Sequence, residues 1–197
     1  AGVNRADVLQ AQGLYAPPEG ASDIPGLEVS GTIAAIGTGT VGWSEGEEIC
    51  ALLSGGGYSE YVNVPASQLL PIPRTLDIKA AASLPEACAT AYMALAQLGA
   101  LQPNERVLIH GGASGTGILI AQVARAWGAE VIATVGSEEK CAMLYDHGIR
   151  PINHTRGAWA EQVMQITDQH GVHVIVDILG APHLATHFKL LKKGGRL

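Results

Sequence analysis

The chain has 197 residues, of which 47% are apolar and 15% charged, and its formal net charge is −6 at pH 7. That balance predicts a soluble, well-buried α/β protein and excludes an extended disordered chain. It also excludes a nucleic-acid surface, because phosphate backbones are bound by clustered Lys and Arg.

In chain order, residues 1–87 carry short β-type runs punctuated by Gly, Pro and Ser, which predicts an all-β region of barrel or sandwich type. After "NRADVLQ", the stretch "PPEGASDIPG" is expected to be an irregular loop, since Pro17, Pro18 and Pro25 each lack a backbone donor. The strand candidates are "EVSGTIAAIG", "EEICALL" and "YSEYVNVP". Next, "TLDIKAAASLPEACATAYMALAQLGAL" places Ala, Leu and Met at helical spacing, with Pro85 at a helix start or a break.

From Arg106 onward the pattern alternates. Strands are expected at "RVLIH" (106–110), "EVIATV" (130–135), a short "PIN" and "HVIVDIL" (173–179); helices at "GTGILIAQVARAWG", "SEEKCAMLYDHG", "AWAEQVMQITDQHG" and "PHLATHFKLLKKGG". Such alternation builds a parallel sheet through right-handed crossovers. Gly128, Gly148, Gly171 and Gly194 are each expected to cap the preceding helix in a left-handed conformation. Charge divides the same way: residues 1–97 hold 3 basic and 10 acidic side chains, residues 98–197 hold 9 and 8. The second part tolerates an anion better.

Cys50, Cys88 and Cys141 are widely spaced and odd in number, which fits buried thiols in a reducing compartment. With no apolar run of about 18 residues and no leader-like opening, a cytoplasmic protein with no membrane partner is expected. The opening Ala1 and the closing "GGRL" read as a fragment cut at both ends.

The densest chemical signal is "IHGGASGTG", residues 109–117. In a dinucleotide-binding βαβ unit, a G-x-G-x-x-G turn lays a pyrophosphate on backbone N–H groups at a helix N-terminus. Here Gly112 and Gly117 hold the outer positions, Ser114 replaces the middle glycine, and Gly115 is extra. A plain strand-to-helix turn is the alternative, and the strand before and helix after favour the nucleotide site. An NAD site usually ends its second strand in Asp or Glu; this chain has Val135, then Gly136, Ser137 and Lys140. With no carboxylate in that position, a 2′-phosphate is the better fit, which points to NADPH. Ser137 reads equally as a helix N-cap, a role compatible with phosphate binding.

These stretches, together with "AGVNRADVLQAQGLY", "GLEVSGTIAAIG", "GGGYSEYVNVP" and "AAASLPEACATAYMAL", resemble the zinc-free quinone oxidoreductase branch of the medium-chain dehydrogenase/reductases, the branch of zeta-crystallin. The resemblance spans essentially the whole chain. It implies a partial GroES-like β-barrel domain at 1–87, truncated at its start, then a partial Rossmann doubly wound parallel sheet at 88–197, truncated at its end. Zinc members of the superfamily hold a metal at three positions matched here by Asn4, Leu27 and Glu86, and Leu cannot donate to a metal, so no metal site is expected.

The resemblance further implies that Gly112, Ala113, Ser114, Gly115, Thr116 and Gly117 hold the pyrophosphate. It places Gly136, Ser137 and Lys140 at the 2′-phosphate, His154 on the adenosine side, and Tyr15 and Thr90 at the nicotinamide. Asn4 and Asp7 would line the substrate pocket with Tyr15. Two roles stay open for Asp7, pocket liner or brace of "NRADVLQ"; Tyr15 is otherwise a loop anchor and His154 a surface residue. The implied activity is NADPH-dependent reduction of quinones, in a homo-oligomer when full-length. The alternatives are reduction of enones, enals or enoyl thioesters, or a non-catalytic, crystallin-like NADPH-binding protein.

Overall fold

A computed structural model describes residues 1–178 and 180–197. The chain divides into two compact units, Ala1–Glu86 and Ala87–Leu197.

The first unit opens with helix α1 (Arg5–Ala11) and contains strands β1 (Glu28–Thr32), β2 (Glu48–Leu52) and β3 (Leu69–Pro71), followed by the short helix α2 (Ile78–Ala81). The strands form an antiparallel sheet in the order β1-β2-β3, in a register that sets Ser30 opposite Cys50 and Cys50 opposite Leu70. Val29, Ile49, Ala51 and Leu53 form its core, with Trp43, Val62, Val64 and Leu69 packed against them. Among the described residues "YSEYVNVP" forms no strand, which corrects the expectation. Its alternation is real, since Val62 and Val64 pack against the core, but no described strand pairs with it, and a cavity of about 350 Å³ is bordered by 29–35 and 59–64.

Helix α3 (Pro85–Tyr92) starts at the proline, whose missing N–H costs nothing in a first turn, and runs on as a π-helical segment, Met93–Leu98. Pro85 therefore splits the expected helical stretch from α2.

The second unit alternates β4 (Arg106–Ile109), α4 (Gly115–Ala126), β5 (Glu130–Val135), α5 (Glu138–Asp146), β6 (Arg150–Asn153), α6 (Trp159–Ile166), β7 (Val172–Val176), α7 (Leu184–Leu190) and β8 (Leu191–Arg196). All pairings are parallel and the order is β6-β5-β4-β7-β8, the 3-2-1-4-5 arrangement of a Rossmann fold. Odd and even positions of one strand feed opposite cores. Val107 and Ile109 pack with α4 and α5 residues such as Ile120, Ala124 and Leu144, while Leu108 packs with Ile132, Ile152, Val163 and Leu190. Burial on both faces explains why these strands read as continuous apolar runs. Each fully buried Leu or Ile contributes about 1.5–3 kcal/mol.

Two expectations are corrected at the end of the chain. The strand expected at 173–179 is Val172–Val176, and Leu179 lies outside the described residues. "LKKGG" is not the end of a helix: α7 stops at Leu190 and β8 begins at once, so Gly194 (φ +80°) sits inside a strand rather than at a helix cap. The β7–β8 register shifts at this point, the signature of a bulge that a positive-φ glycine accommodates. Arg196 anchors the strand by a bidentate contact to Glu105 (3.0 and 2.5 Å), and that contact holds the Glu105 carboxyl below its ordinary pKa.

Candidate functional site

The parallel sheet of the second unit reverses its winding between β4 and β7, and ligands of such sheets bind outside the carboxyl ends of the strands at that point. The glycine loop leaves β4 there. Ser114 is the N-cap of α4: its hydroxyl accepts from Gly117 N (3.0 Å) and donates to Gly111 O (2.8 Å). This explains the serine at the middle position of the fingerprint, since its side chain turns back onto the loop.

The glycines divide by what a β-carbon would meet. At Gly117 it would lie 2.3 Å from Gly111 O, and at Gly112 it would lie 2.5 Å from the Ala133 β-carbon; at Gly115 it would meet nothing within 4 Å. Gly112 and Gly117 let the loop press onto β5 and onto itself. Gly115 keeps space open beside a first helical turn whose N–H groups have no partner within the helix. A cradle of that shape, with the positive end of a twelve-residue helix behind it, fits a diphosphate.

One strand away, β5 ends at Val135 and Ser137 caps α5, accepting from Lys140 N at 3.3 Å. His154 begins a turn after β6, with its Nε2 3.5 Å from where a Gly136 β-carbon would stand. Gly136, Ser137, Lys140 and His154 thus gather at the neighbouring ends of β5 and β6. Sequence reasoning missed the partners of Glu138, whose Oε1 accepts from Asn153 Nδ2 (2.6 Å) and pairs with Arg156 Nε (2.9 Å).

It also missed a chain of buried polar groups just beneath these strand ends. Asp177, the residue after β7, lies 3.6 Å from Nδ1 of the fully buried His187; His187 Nε2 lies 2.9 Å from His110 Nε2, and His110 Nδ1 lies 2.8 Å from Thr134 Oγ1. Burial pushes the His110 pKa down to about 4 and lowers that of His187. The nearby His183 adds to both effects, while Asp177 opposes them. The only forewarning in the sequence is the polar His110 closing an apolar strand.

In the first unit, Asn4 and Asp7 form a capping box on α1, with Asn4 N donating to Asp7 Oδ2 at 2.7 Å. Asp7 is 4% exposed and also accepts from Gly26 N (3.1 Å) and Tyr58 Oη (2.9 Å). Glu28, 2% exposed, joins Asn4 Nδ2 and Glu86 N through its two carboxylate oxygens, each at 2.9 Å. Asp7 therefore acts as a brace in this structure. Tyr15 is an exposed side chain beyond the end of α1, and Thr90 is half-buried on α3 in the second unit. Burial, the hydrogen bond to Asp7 and the nearby carboxylates push the Tyr58 pKa up to about 12. Tyr58→Phe is expected to lower stability by about 1 kcal/mol in urea unfolding, the net value of one hydrogen bond, and to delete a phenol titrating near 12 from an alkaline absorbance titration. A variant with unchanged stability would remove Tyr58 from the bracing network.

Two family patterns match the chain: the alcohol dehydrogenase GroES-like domain over residues 1–74, and the zinc-binding dehydrogenase domain over 115–197. The chain belongs to the medium-chain dehydrogenase/reductase family. This dehydrogenase/reductase chain is 34% identical over 197 residues to a phenolphthiocerol/phthiocerol polyketide synthase subunit of Mycobacterium tuberculosis, covering 100% of the chain and 9% of that protein. It is 31% identical over 198 residues to the quinone oxidoreductase of Rattus norvegicus, covering 100% of the chain and 60% of the relative. Among solved structures, CurK enoyl reductase superposes with a TM-score of 0.89 at 32% identity, covering 98% of this chain and 61% of that one. Escherichia coli quinone oxidoreductase complexed with NADPH gives 0.84 at 27% identity, covering 97% and 59%. The dehydrogenase/reductase chain thus spans less than two thirds of each of these proteins. None of its described helices is long and apolar enough to cross a membrane.

The family description raises the question of zinc. At the positions matched to zinc ligands, Leu27 offers only hydrocarbon and Asn4 turns its amide N–H toward Glu28. That set does not fit the Cys and His donors on which tetrahedral zinc relies.

Proposed function

We propose that the chain forms the nucleotide-binding and part of the substrate-binding machinery of a metal-independent, NADPH-dependent oxidoreductase acting on quinones. The observation that carries this reading is the glycine cradle: open space at Gly115 over the start of α4, at the point where the sheet reverses its winding. When bound, NADPH supplies a hydride to an electron-poor acceptor.

The residues of this chain bind and orient. Amides from Ala113 to Gly117 hold the diphosphate, with Gly112 letting the loop sit close to β5. Gly136, Ser137 and Lys140 meet the 2′-phosphate with a capping hydroxyl, backbone N–H groups and a cation, and His154 sits beside the adenosine. Thr90 is assigned to the nicotinamide, and Tyr15 to both the nicotinamide and the acceptor. Asn4 belongs on the acceptor side, with Asp7 holding it in place through the capping box. Rate acceleration then comes from positioning and the exclusion of water.

A second reading, reduction of enoyl thioesters, is favoured by the similarity to the mycobacterial polyketide synthase and to CurK enoyl reductase. An enoyl thioester on a phosphopantetheine arm brings a phosphate with it. Residues 1–97, with 10 acidic and 3 basic side chains, suit an uncharged quinone better.

The two are separated by following NADPH oxidation, in the protein that contains this chain, with a small benzoquinone and with a 2-enoyl thioester. Turnover of the quinone alone supports the first reading, and turnover of the thioester alone replaces it with the second. NADPH binding without turnover of either makes the protein a dinucleotide binder. Lys140→Ala is expected to weaken NADPH about tenfold and NADH hardly at all; equal weakening of both would make Lys140 a mere helix charge.

A further inference from the structure

The cofactor reading gives no role to the ion pair between Glu138 and Arg156 in the second unit. Glu138 is the first residue of α5, directly after the Ser137 cap. A carboxylate about 20 residues past the glycine loop is the group that accepts hydrogen bonds from the ribose 2′-hydroxyl in NAD sites, and it repels a 2′-phosphate. The chain therefore does carry an acid in this neighbourhood, although its second strand ends in Val135.

That acid is held from the side. Its Oε1 receives Asn153 Nδ2 at 2.6 Å and Arg156 Nε at 2.9 Å, and both partners come from the end of β6 and the turn that follows. Asn153 is itself fixed, because its Oδ1 accepts from Thr155 N (3.1 Å) and Thr155 Oγ1 (2.7 Å), which turns its NH₂ toward Glu138. The Arg156 and Glu138 side chains are 69% and 58% exposed. Pairs so exposed contribute little to stability, and this one has another use.

We propose that Asn153 and Arg156 form a clamp on Glu138 that sets the dinucleotide preference of the site. With the clamp closed, the Glu138 charge is neutralised and drawn toward β6, leaving Ser137, Lys140 and His154 to receive a 2′-phosphate. With the clamp broken, Glu138 is released to accept from a ribose 2′-hydroxyl and to repel the phosphate. Arg156 is a positioning residue here, acting through Glu138 rather than on the ligand. The inference rests on the NADPH reading above and names the device that enforces it.

The test is a double-mutant cycle read by binding, with 2′,5′-ADP and 5′-ADP as probes that report only the adenosine end, alongside NADPH and NADH. In the unmodified protein 2′,5′-ADP should bind more tightly than 5′-ADP. Arg156→Gln should shift the ratio of the two affinities about tenfold toward 5′-ADP, the size of one charge-assisted contact. Adding Glu138→Gln should restore most of the lost preference, since the released acid is then gone. Because the pair is exposed, unfolding midpoints of all three variants should stay close to that of the parent. If Arg156→Gln weakens 2′,5′-ADP equally with Glu138 or Gln at position 138, Arg156 touches the phosphate directly and the clamp is wrong. An unchanged ratio in Arg156→Gln also overturns the clamp while leaving the NADPH reading intact. A parent protein that binds both probes alike overturns that reading, and the clamp falls with it.

Discussion

Gly117→Ala is expected to lower NADPH affinity by more than tenfold and to destabilise the second unit by at least 1–3 kcal/mol, the usual cost of overpacking a tight site. The added β-carbon would lie 2.3 Å from Gly111 O and 2.9 Å from Gly112 Cα, so backbone rather than a movable side chain has to give way. The same shift would pull Gly117 N from the Ser114 hydroxyl and open the cap of α4. Gly115→Ala is the informative partner, because nothing of the protein lies within 4 Å of its new methyl. That variant should fold at least as well as the parent, since Ala gives up less backbone entropy than Gly. Any loss of NADPH affinity in Gly115→Ala then measures the ligand itself. Titration by NADPH fluorescence and thermal unfolding read both effects. Normal NADPH binding in both variants would mean that the loop is only a turn.

Acidification should destabilise the second unit through its buried histidines. His110 titrates near 4 and His187 below its ordinary value, so the unfolded chain takes up protons before the folded one does. The stability they contribute is complete above about pH 6.5 and is lost as the pH falls from there toward 4. For His110 alone the loss amounts to about 3 kcal/mol. Urea unfolding at pH 7 and pH 4.5 reads the effect. In His110→Leu/His187→Leu, with both rings gone, the acid limb should flatten, leaving the contributions of ordinary carboxylates. Equal stability of the parent protein at the two pH values would show that the rings protonate without cost. His110 N bonds Val176 O (3.0 Å) and Thr134 O accepts from Gly112 N (3.0 Å), so the same acid limb should appear in NADPH affinity.

The doubly wound sheet was legible because its central strands β4, β5 and β7 are buried on both faces. "RVLIH" and "EVIATV" are continuous apolar runs that no amphipathic helix would show. The glycine loop was legible because close approach leaves no residue type but Gly at positions 112 and 117. "YSEYVNVP" misled, because alternation records which side chains face the core and is silent on whether another strand lies alongside. "LKKGG" misled because Lys and Gly serve a helix end and a bulged edge strand equally well. Of the candidate site, the sequence reading reached the groups contributed by one contiguous stretch, the glycine loop. The Asp177–His187–His110–Thr134 chain could not be reached, since His110 and Asp177 follow β4 and β7, Thr134 lies in β5 and His187 in α7. The Glu28 hub was invisible for the same reason: its partners Asn4 and Glu86 sit at opposite ends of the first unit.

The strand order also bears on how the second unit is assembled. Val107 of β4 is flanked by Val131 on one side and by Val174 on the other. The first neighbour follows after a single helix, whereas the second arrives only after two more helices and a further strand have been laid down. Closing the longer loop costs more chain entropy and is slower. During synthesis, β4, β5 and β6 can pair before β7 exists, leaving one side of β4 bare until β7 emerges. The seam at which the sheet reverses its winding therefore closes only after the β4–β5 and β5–β6 pairs have had the chance to form.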